Sequence, residues 1–281
     1  MMFSKQLKLA ALALAFGVAG AQAAPVGLPL LIEEGSVSGT PANAFWADQL
    51  SGQYDEVVTF IDATHFTTVA VFRAGAWYRD GSTVTEGQFL NGPGASGYNL
   101  YAKFIGSGTY STSLSGSDIV TTFSATQNAI ELWLDPSRNT VYNIPAAAGA
   151  PTPAFTDLAL TSGAASLTDD RRLGSASITL AAGGNSSTGL ANGNFEIVFG
   201  GFTLDAPDGE NYFVAPRPFH MTLDLNGNFQ SLTPVAGTSV ALRNSSANAF
   251  FFNSVPEPGA LALAGIALLG LGVAGKRRKS A

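Results

Sequence analysis

Apolar and polar residues alternate in short runs along most of the chain, and glycine, proline, asparagine and serine separate the runs. Alternation with a period of two is typical of half-buried β-strands, whereas no segment between the termini keeps a helical period over three turns. The pattern therefore predicts an all-β body, built as an antiparallel β-sandwich or barrel. The runs that predict strands are 56–62, 67–73, 97–112, 119–125, 128–136, 220–232, 237–244 and 248–253.

Glycines modify two of these strand predictions. The run at 97–112 predicts one long strand or a bent pair, because two glycines interrupt it. In the run at 220–232, Asn226 and Gly227 predict a type I′ hairpin turn. The letters DLNGN around this pair also resemble the start of a calcium-binding loop. That loop needs glycine at its sixth position, where this chain has phenylalanine, so the hairpin turn is favoured.

The N-terminal segment has the pattern of a secretory signal peptide. Two lysines precede an apolar run at 9–19, and Ala21 and Ala23 then occupy the positions that signal peptidase reads. The apolar run is too short for a spanning helix, so we expect cleavage before Ala24. The alternative is an uncleaved membrane anchor.

The C-terminal segment combines three features in order. Pro256, Glu257 and Pro258 come first, and residues 259–275 follow without a charged or strongly polar side chain. These 17 residues span about 26 Å as a helix, which is at the short edge of what a bilayer core requires. A basic cluster that stays on the cytoplasmic side comes last. Its members are Lys276, Arg277, Arg278 and Lys279.

This arrangement resembles the PEP-CTERM sorting signal, the tail that exosortases recognise in Gram-negative bacteria. The resemblance implies that a membrane cysteine peptidase cuts near the Pro-Glu-Pro motif, and that the helix holds the protein in the inner membrane only transiently. The protein would then reach the cell surface or the extracellular space. A simple single-pass anchor is the alternative. The predicted organisation is a signal peptide at 1–23, one secreted β domain at 24–254 and a sorting signal at 255–281. Residues 144–155, rich in Pro and Ala, form either a linker between two β lobes or a surface loop; one continuous domain is preferred.

Charge and cysteine content restrict the partners and the chemistry. The chain has 14 basic and 20 acidic residues, and six of the basic ones lie in the two terminal segments. The stretch from Glu33 to Glu257 is therefore strongly acidic, which argues against nucleic acid and anionic membrane surfaces as partners. The chain has no cysteine, which excludes thiol catalysis, zinc–thiolate sites and disulfides.

The sequence gives little support for catalysis. His65 and His220 are too few for a multi-histidine metal site, and no Gly-x-Ser-x-Gly elbow is present. Carboxylate pairs serve glycoside hydrolysis, but neighbouring acids on a strand point to opposite faces, so solvated surface charge is the default interpretation. We therefore predict no catalytic residue, no metal site and no cofactor. The acids considered are Glu33 with Glu34, Asp55 with Glu56, Asp169 with Asp170, and Asp205 with Asp208 and Glu210.

Tryptophans offer a different kind of site, because flat aromatic rings stack on sugars. Core packing is the simpler interpretation for Trp46 and Trp77. Trp133 lies between Leu132 and Leu134, so alternation turns its side chain to the opposite face. We therefore predict that Trp133 is a glycan contact.

A second resemblance covers most of the body. The segments PANAFWADQLSGQYDEVVTF, GYNLYAKF, ELWLDPSRNTVY and GENYFVAPRPFHMTLDLNGNF are similar to the flocculation-associated PEP-CTERM proteins of floc-forming bacteria, with a weak match through 144–190. This resemblance implies a non-enzymatic matrix protein that promotes flocculation by associating with extracellular polysaccharide. The alternatives are a secreted glycan hydrolase that uses a carboxylate pair and a self-assembling coat protein.

Overall fold

The computed structural model describes residues 29–253, apart from residues 38 and 88 and the segments 94–95, 144–158, 163–166, 188–191, 218–220 and 231–232. The predicted signal peptide and sorting tail, with all their processing residues, lie outside this described part, as do the stretch at 144–155 and His220. Among the described residues, no helix has both the length and the apolar character needed to cross a bilayer.

Antiparallel strands make up nearly all the regular structure of the described residues. The described helical elements are α1 (Asp208–Tyr212) and 3-10 turns at Glu34–Ser36 and Leu167–Asp169. The strands are β1 (Leu30–Glu33), β2 (Ala44–Ala47), β3 (Gln49–Phe60), β4 (His65–Arg79), β5 (Ser82–Thr83), β6 (Asn99–Ser115), β7 (Asp118–Asp135), β8 (Thr140–Asn143), β9 (Ala159–Ser162), β10 (Arg171–Ala176), β11 (Ile178–Ser187), β12 (Asn192–Leu204), β13 (Phe213–Ala215), β14 (Met221–Gln230) and β15 (Thr238–Asn253).

Eight of the strands that the structure describes form a closed barrel. In chain order, β3, β4, β6, β7, β11, β12, β14 and β15 each pair antiparallel with the next. The ring closes where β15 pairs with β3, for example between Asn248 and Ser51. The predicted all-β class is confirmed, and this closure shows that the body is a barrel.

Alternation along the strands directs one set of side chains into the barrel. At one end, large apolar groups fill the interior almost completely, among them Leu50, Phe72, Leu132 and Phe251. At the other end, the wall includes Gly183 and Gly184, which have no side chain, and space remains. The barrel therefore has a packed half and a more open half.

A small sheet covers the packed end of the barrel. Its strands lie in the order β13-β1-β2, and Phe213 of β13 contacts Phe251 of β15 with 6.1 Å between ring centres. The buried Glu34 follows β1 and accepts hydrogen bonds from the Tyr98 hydroxyl (2.9 Å) and from Asn43 Nδ2 (2.6 Å). These donors satisfy both oxygens of Glu34, so this carboxylate is part of the scaffold.

Several predicted strands merge into longer ones. β6 and β7 pass a β-bulge between Ser107 and Gly108, and β15 passes one between Leu242 and Ser245. A bulge adds a residue to a strand without ending its pairing. The inward and outward positions therefore exchange at the bulge, although the strand continues. The runs that merge are 119–125 with 128–136 and 237–244 with 248–253, while 97–112 is a single strand.

The predicted hairpin turn at Asn226 and Gly227 is wrong. Both residues lie inside β14, where Gly227 pairs with Phe195 on one side and with Ala247 on the other. A Cβ atom on Gly227 would lie 2.4 Å from the Phe195 ring. The glycine thus permits close packing inside a strand, and the extended backbone also excludes a calcium loop here.

Candidate functional site

Trp133 lies on the outside of the barrel, as alternation predicts. Leu132 and Leu134 point inward and are buried, whereas Trp133 is half-buried. Its partner on the neighbouring strand β6 is Tyr101. The two rings stack with 6.3 Å between their centres and 9° between their planes. Tyr101 is itself buried, so Trp133 is the accessible ring of the pair.

Charged side chains hold the Trp133 ring in place. The indole Nε1 donates to Glu131 Oε2 at 3.1 Å, and Lys103 Nζ lies 3.0 Å from the same oxygen and 4.2 Å from the ring centre. Arg172 of β10 reaches Glu131 Oε1 at 3.1 Å. Partial burial raises the pKa of Glu131, but hydrogen bonds from Lys103, Trp133 and Arg172 outweigh it and hold the pKa below its ordinary value. We call this surface the Trp133 face; its members are Tyr101, Lys103, Glu131, Trp133 and Arg172.

Three carboxylates meet beside the Trp133 face. Asp135 ends β7, and Asp169 and Asp170 lie just before β10, so the pairing of β10 with β7 brings them together. Oxygen atoms of all three lie within 4.8 Å of one another. The Tyr101 hydroxyl donates to Asp170 Oδ2 at 2.7 Å and so connects this aspartate cluster to the Trp133 face.

The loop after β7 fixes the position of the aspartate cluster. The buried Asp135 accepts hydrogen bonds from the backbone N–H groups of Asn139 (3.3 Å) and Thr140 (3.0 Å). The Thr140 hydroxyl donates to Asp170 Oδ2 at 2.8 Å, and the Ser137 hydroxyl donates to Asp169. The turn at 135–140 therefore acts as a template for the carboxylates.

The chemistry of the aspartate cluster suits a hard divalent cation. Burial raises the pKa of Asp170, and the charges of Asp135 and Asp169 raise it further. The hydrogen bond from Ser137 lowers the pKa of Asp169. Asp170 Oδ1 and Asn139 Oδ1 are buried without a hydrogen-bond partner, and such oxygens are the ligands that Ca²⁺ prefers. The sequence predicted no metal site, since the cluster exists only after β10 pairs with β7.

The other acids that form candidate carboxylate pairs differ in whether their side chains converge. Asp55 and Glu56 point to opposite faces as predicted, with Asp55 on the outside, 3.1 Å from Arg73 Nη2, and Glu56 inside the barrel. Asp205 forms an ion pair with Arg172 at 2.6 Å. By contrast, Asp169 and Asp170 do converge, because Asp169 ends a 3-10 turn and Asp170 follows it, so neither lies in a strand.

The remaining aromatic and histidine candidates separate by exposure. Trp77 is 1% exposed and belongs to the core, whereas Trp46 is 39% exposed on β2. His65 is exposed, and its Nδ1 lies 2.8 Å from Asp62 Oδ2 at the tip of the hairpin between β3 and β4. The surrounding hydrogen bonds are local, so His65 stabilises this turn.

Comparison with known proteins identifies the C-terminal segment. Residues 254–279, which contain Pro256, Glu257 and Pro258, match the PEP-CTERM protein-sorting motif. Neither the curated proteins nor the solved structures give a significant match to the chain. The motif marks an exported protein that an exosortase processes and directs to the cell surface.

Proposed function

We propose that this exosortase-targeted protein binds extracellular polysaccharide through the Trp133 face, and that this binding promotes flocculation without catalysis. The observation that carries the proposal is the arrangement around Trp133, a half-exposed ring held by Tyr101, Lys103 and Glu131 on a rigid barrel wall. An indole ring packs against the C–H face of a sugar, and charged neighbours donate to or accept from its hydroxyl groups. Repeated weak contacts of this kind along a polymer give avidity.

The aspartate cluster supports an acidic polysaccharide as the partner, held through a bound divalent cation. The acidic body repels an acidic polysaccharide unless a divalent cation lies between them. Asp170 accepts a hydrogen bond from Tyr101 of the Trp133 face, so a cation at the cluster would lie beside the sugar that stacks on Trp133. Calcium-dependent retention would therefore involve the same surface.

The test uses the exported form of the protein, purified from the cell surface or the culture medium. Its retention on the producing strain's own extracellular polysaccharide is measured with and without a calcium chelator. We expect specific retention by the wild-type protein and about a fivefold loss of affinity in Trp133→Ala, because one aromatic stacking contact contributes roughly 1 kcal/mol. Loss on chelation would assign a role to the aspartate cluster.

Trp46→Ala is the matched control, because it removes another exposed indole that lies on β2, away from the Trp133 face. It is expected to be retained like the wild-type protein. No retention of the wild-type protein, or an equal loss in both variants, would contradict binding through Trp133. A carbohydrate-cleaving activity that disappears in Asp170→Asn would contradict the non-catalytic part of the proposal.

A further inference from the structure

The open half of the barrel contains a cavity with aromatic walls. About 50 Å³ is available to the centres of water molecules. Phe66 and Phe104 line it from within, and the half-buried Phe123 and Phe195 lie at its rim. Gly183 and Gly184 also line it, and neither places a side chain in the space.

A carboxylate faces this apolar space. Glu56 points inward from β3, is 9% exposed, and accepts a hydrogen bond from Thr68 Oγ1 at 2.5 Å. The residues that line the cavity include no basic side chain, and none of the ion pairs among the described residues involves Glu56. A buried carboxylate without a cation is unfavourable, so the cavity favours a cationic occupant.

A second polar group lies on the same inner wall. Asn128 is 6% exposed, and its Nδ2 donates to Thr179 Oγ1 at 3.2 Å. Its Oδ1 is buried without a hydrogen-bond partner. Strand register places Thr68 opposite Gly106, and Gly106 opposite Asn128. The cavity therefore presents two acceptors, Glu56 and Asn128 Oδ1, to a ligand that carries hydrogen-bond donors.

We propose that this cavity binds a small primary alkylammonium ion, with its charged head between Glu56 and Asn128 and its short apolar chain against the phenylalanines. An ammonium group has three N–H donors, which match the acceptors of the wall. Its positive charge also interacts favourably with the faces of aromatic rings. An alcohol of the same length offers one donor and no charge, and a carboxylate is repelled by Glu56.

The size of the cavity restricts the ligand. A water molecule needs roughly 10–15 Å³ of such centre-accessible space, so the cavity holds on the order of four heavy atoms. The rim side chains Phe123 and Phe195 are half-buried, so the end of the ligand's alkyl chain would lie close to solvent. n-Butylammonium, with four carbons and one nitrogen, fits these limits if its last carbon lies at the rim, and it is a suitable probe.

Binding is expected to depend on pH. Burial raises the pKa of Glu56 to about 7, so the carboxyl group is mainly neutral at pH 5.5 and mainly ionised at pH 8.5. Tyr54 is the other titratable group facing this site among the described residues. Burial and then the Glu56 charge raise its pKa, so it stays neutral over this range. An alkylammonium keeps its proton to about pH 10, so its affinity should rise between pH 5.5 and 8.5.

The experiment is isothermal titration calorimetry on the exported form of the protein with n-butylammonium chloride, n-butanol and sodium butyrate. We expect saturable butylammonium binding at pH 8.5 and at least about a tenfold weaker affinity at pH 5.5, since a charge-assisted hydrogen bond is lost. Butanol should bind at least about tenfold more weakly, and butyrate should not bind.

Two variants and one control test the assignment to Glu56. Glu56→Gln keeps the shape but removes the charge, and is expected to lose both the affinity and its pH dependence. Gly106→Ala keeps the carboxylate but places a Cβ atom 2.6 Å from Asn128 Oδ1, so it displaces this acceptor and should also weaken binding. Glu196→Gln makes the same charge change on an exposed residue of β12 and should bind like the wild-type protein.

Three results would overturn the proposal. The first is equal affinity for butanol and butylammonium, and the second is unchanged affinity in Glu56→Gln or Gly106→Ala. The third is the absence of saturable binding of butylammonium up to about 10 mM at pH 8.5.

Discussion

Glu56 makes the folding stability of the barrel depend on pH. Burial raises its pKa from an ordinary value of 4.5 to about 7, because the folded interior disfavours the charged form. Its contribution to stability is fully present below pH 4.5, where the carboxyl is neutral in both states. The contribution is lost as pH rises through 7, since the unfolded chain ionises more readily. The loss is about 3 kcal/mol for a shift of roughly 2.5 units.

Replacing Glu56 with glutamine should remove this dependence. We expect Glu56→Gln to be about 3 kcal/mol more stable than the wild-type protein at pH 8.5, and the difference to shrink toward pH 4.5. Urea unfolding at several pH values measures it, and Glu196→Gln serves as the exposed control. A difference that stays constant with pH would show that Glu56 does not titrate as described.

Single residues were predictable where one strand alone decides their position. Alternation correctly placed Trp133 outside the barrel and separated Asp55 from Glu56. It could not indicate that Asp135 joins Asp169 and Asp170, because that contact needs a loop template and the pairing of β10 with β7. Nor does the sequence show that no basic side chain among the described residues lines the cavity beside Glu56, because this depends on every strand around the cavity.

Strands in this barrel rely on glycine where two backbones approach closely. Gly108 lies at the bulge between β6 and β7, and a Cβ atom there would lie 2.1 Å from the Ser124 carbonyl oxygen and 2.6 Å from Ala125 Cα. These are backbone atoms of the partner strand, so an alanine side chain must push the strands apart. Gly116, in the turn between the same strands, has a φ of +67°, and a Cβ atom added to it would point into open space.

The two positions make a matched pair of variants. We expect Gly108→Ala to lower the free energy of unfolding by about 3 kcal/mol or more, because the clash distorts a central pair of strands. Gly116→Ala should cost about 1 kcal/mol, the strain of a left-handed backbone alone. Urea unfolding of both variants gives the comparison, and a larger effect at Gly116 would contradict the bulge geometry.

Elements were predictable in type but less so in extent. Alternating residues indicated the strands, whereas bulges hid the continuity of β7 and β15. Asn226 and Gly227 formed a strong local signal for a turn, and long-range packing overrode it because the Phe195 ring needs the space above Gly227. The structural role of such a glycine can be recognised only when the residues that pack against it on neighbouring strands are known.

At the scale of the whole molecule, closure pairs every barrel strand on both sides. Unpaired strand edges are the usual templates for chain-to-chain association, and closing the sheet removes them from the barrel. We therefore expect the exported protein to show no concentration-dependent assembly in the absence of polysaccharide. Sedimentation equilibrium over a hundredfold concentration range, about 1 to 100 µM, measures this. Growth into large species would instead favour the coat-protein alternative.

The all-β class followed from the sequence, but the choice between sandwich and barrel did not. That choice depends on the pairing of β15 with β3 and of β12 with β14. Both pairings join residues that are not neighbours in the sequence. Local alternation is the same for both architectures. The topology therefore emerges only from the sum of long-range pairings.

The pairing of β15 with β3 also sets the timing of folding. β15 ends at Asn253, directly before the sorting motif at 254–279, and it is the shared neighbour of β3 and β14. A polypeptide that is exported N-terminus first therefore carries an open sheet until β15 has been exported. In that open sheet, β3 and β14 each have one unpaired edge. Because such non-local closure is slow, the unpaired edges of β3 and β14 stay open to aggregation until β15 pairs with them.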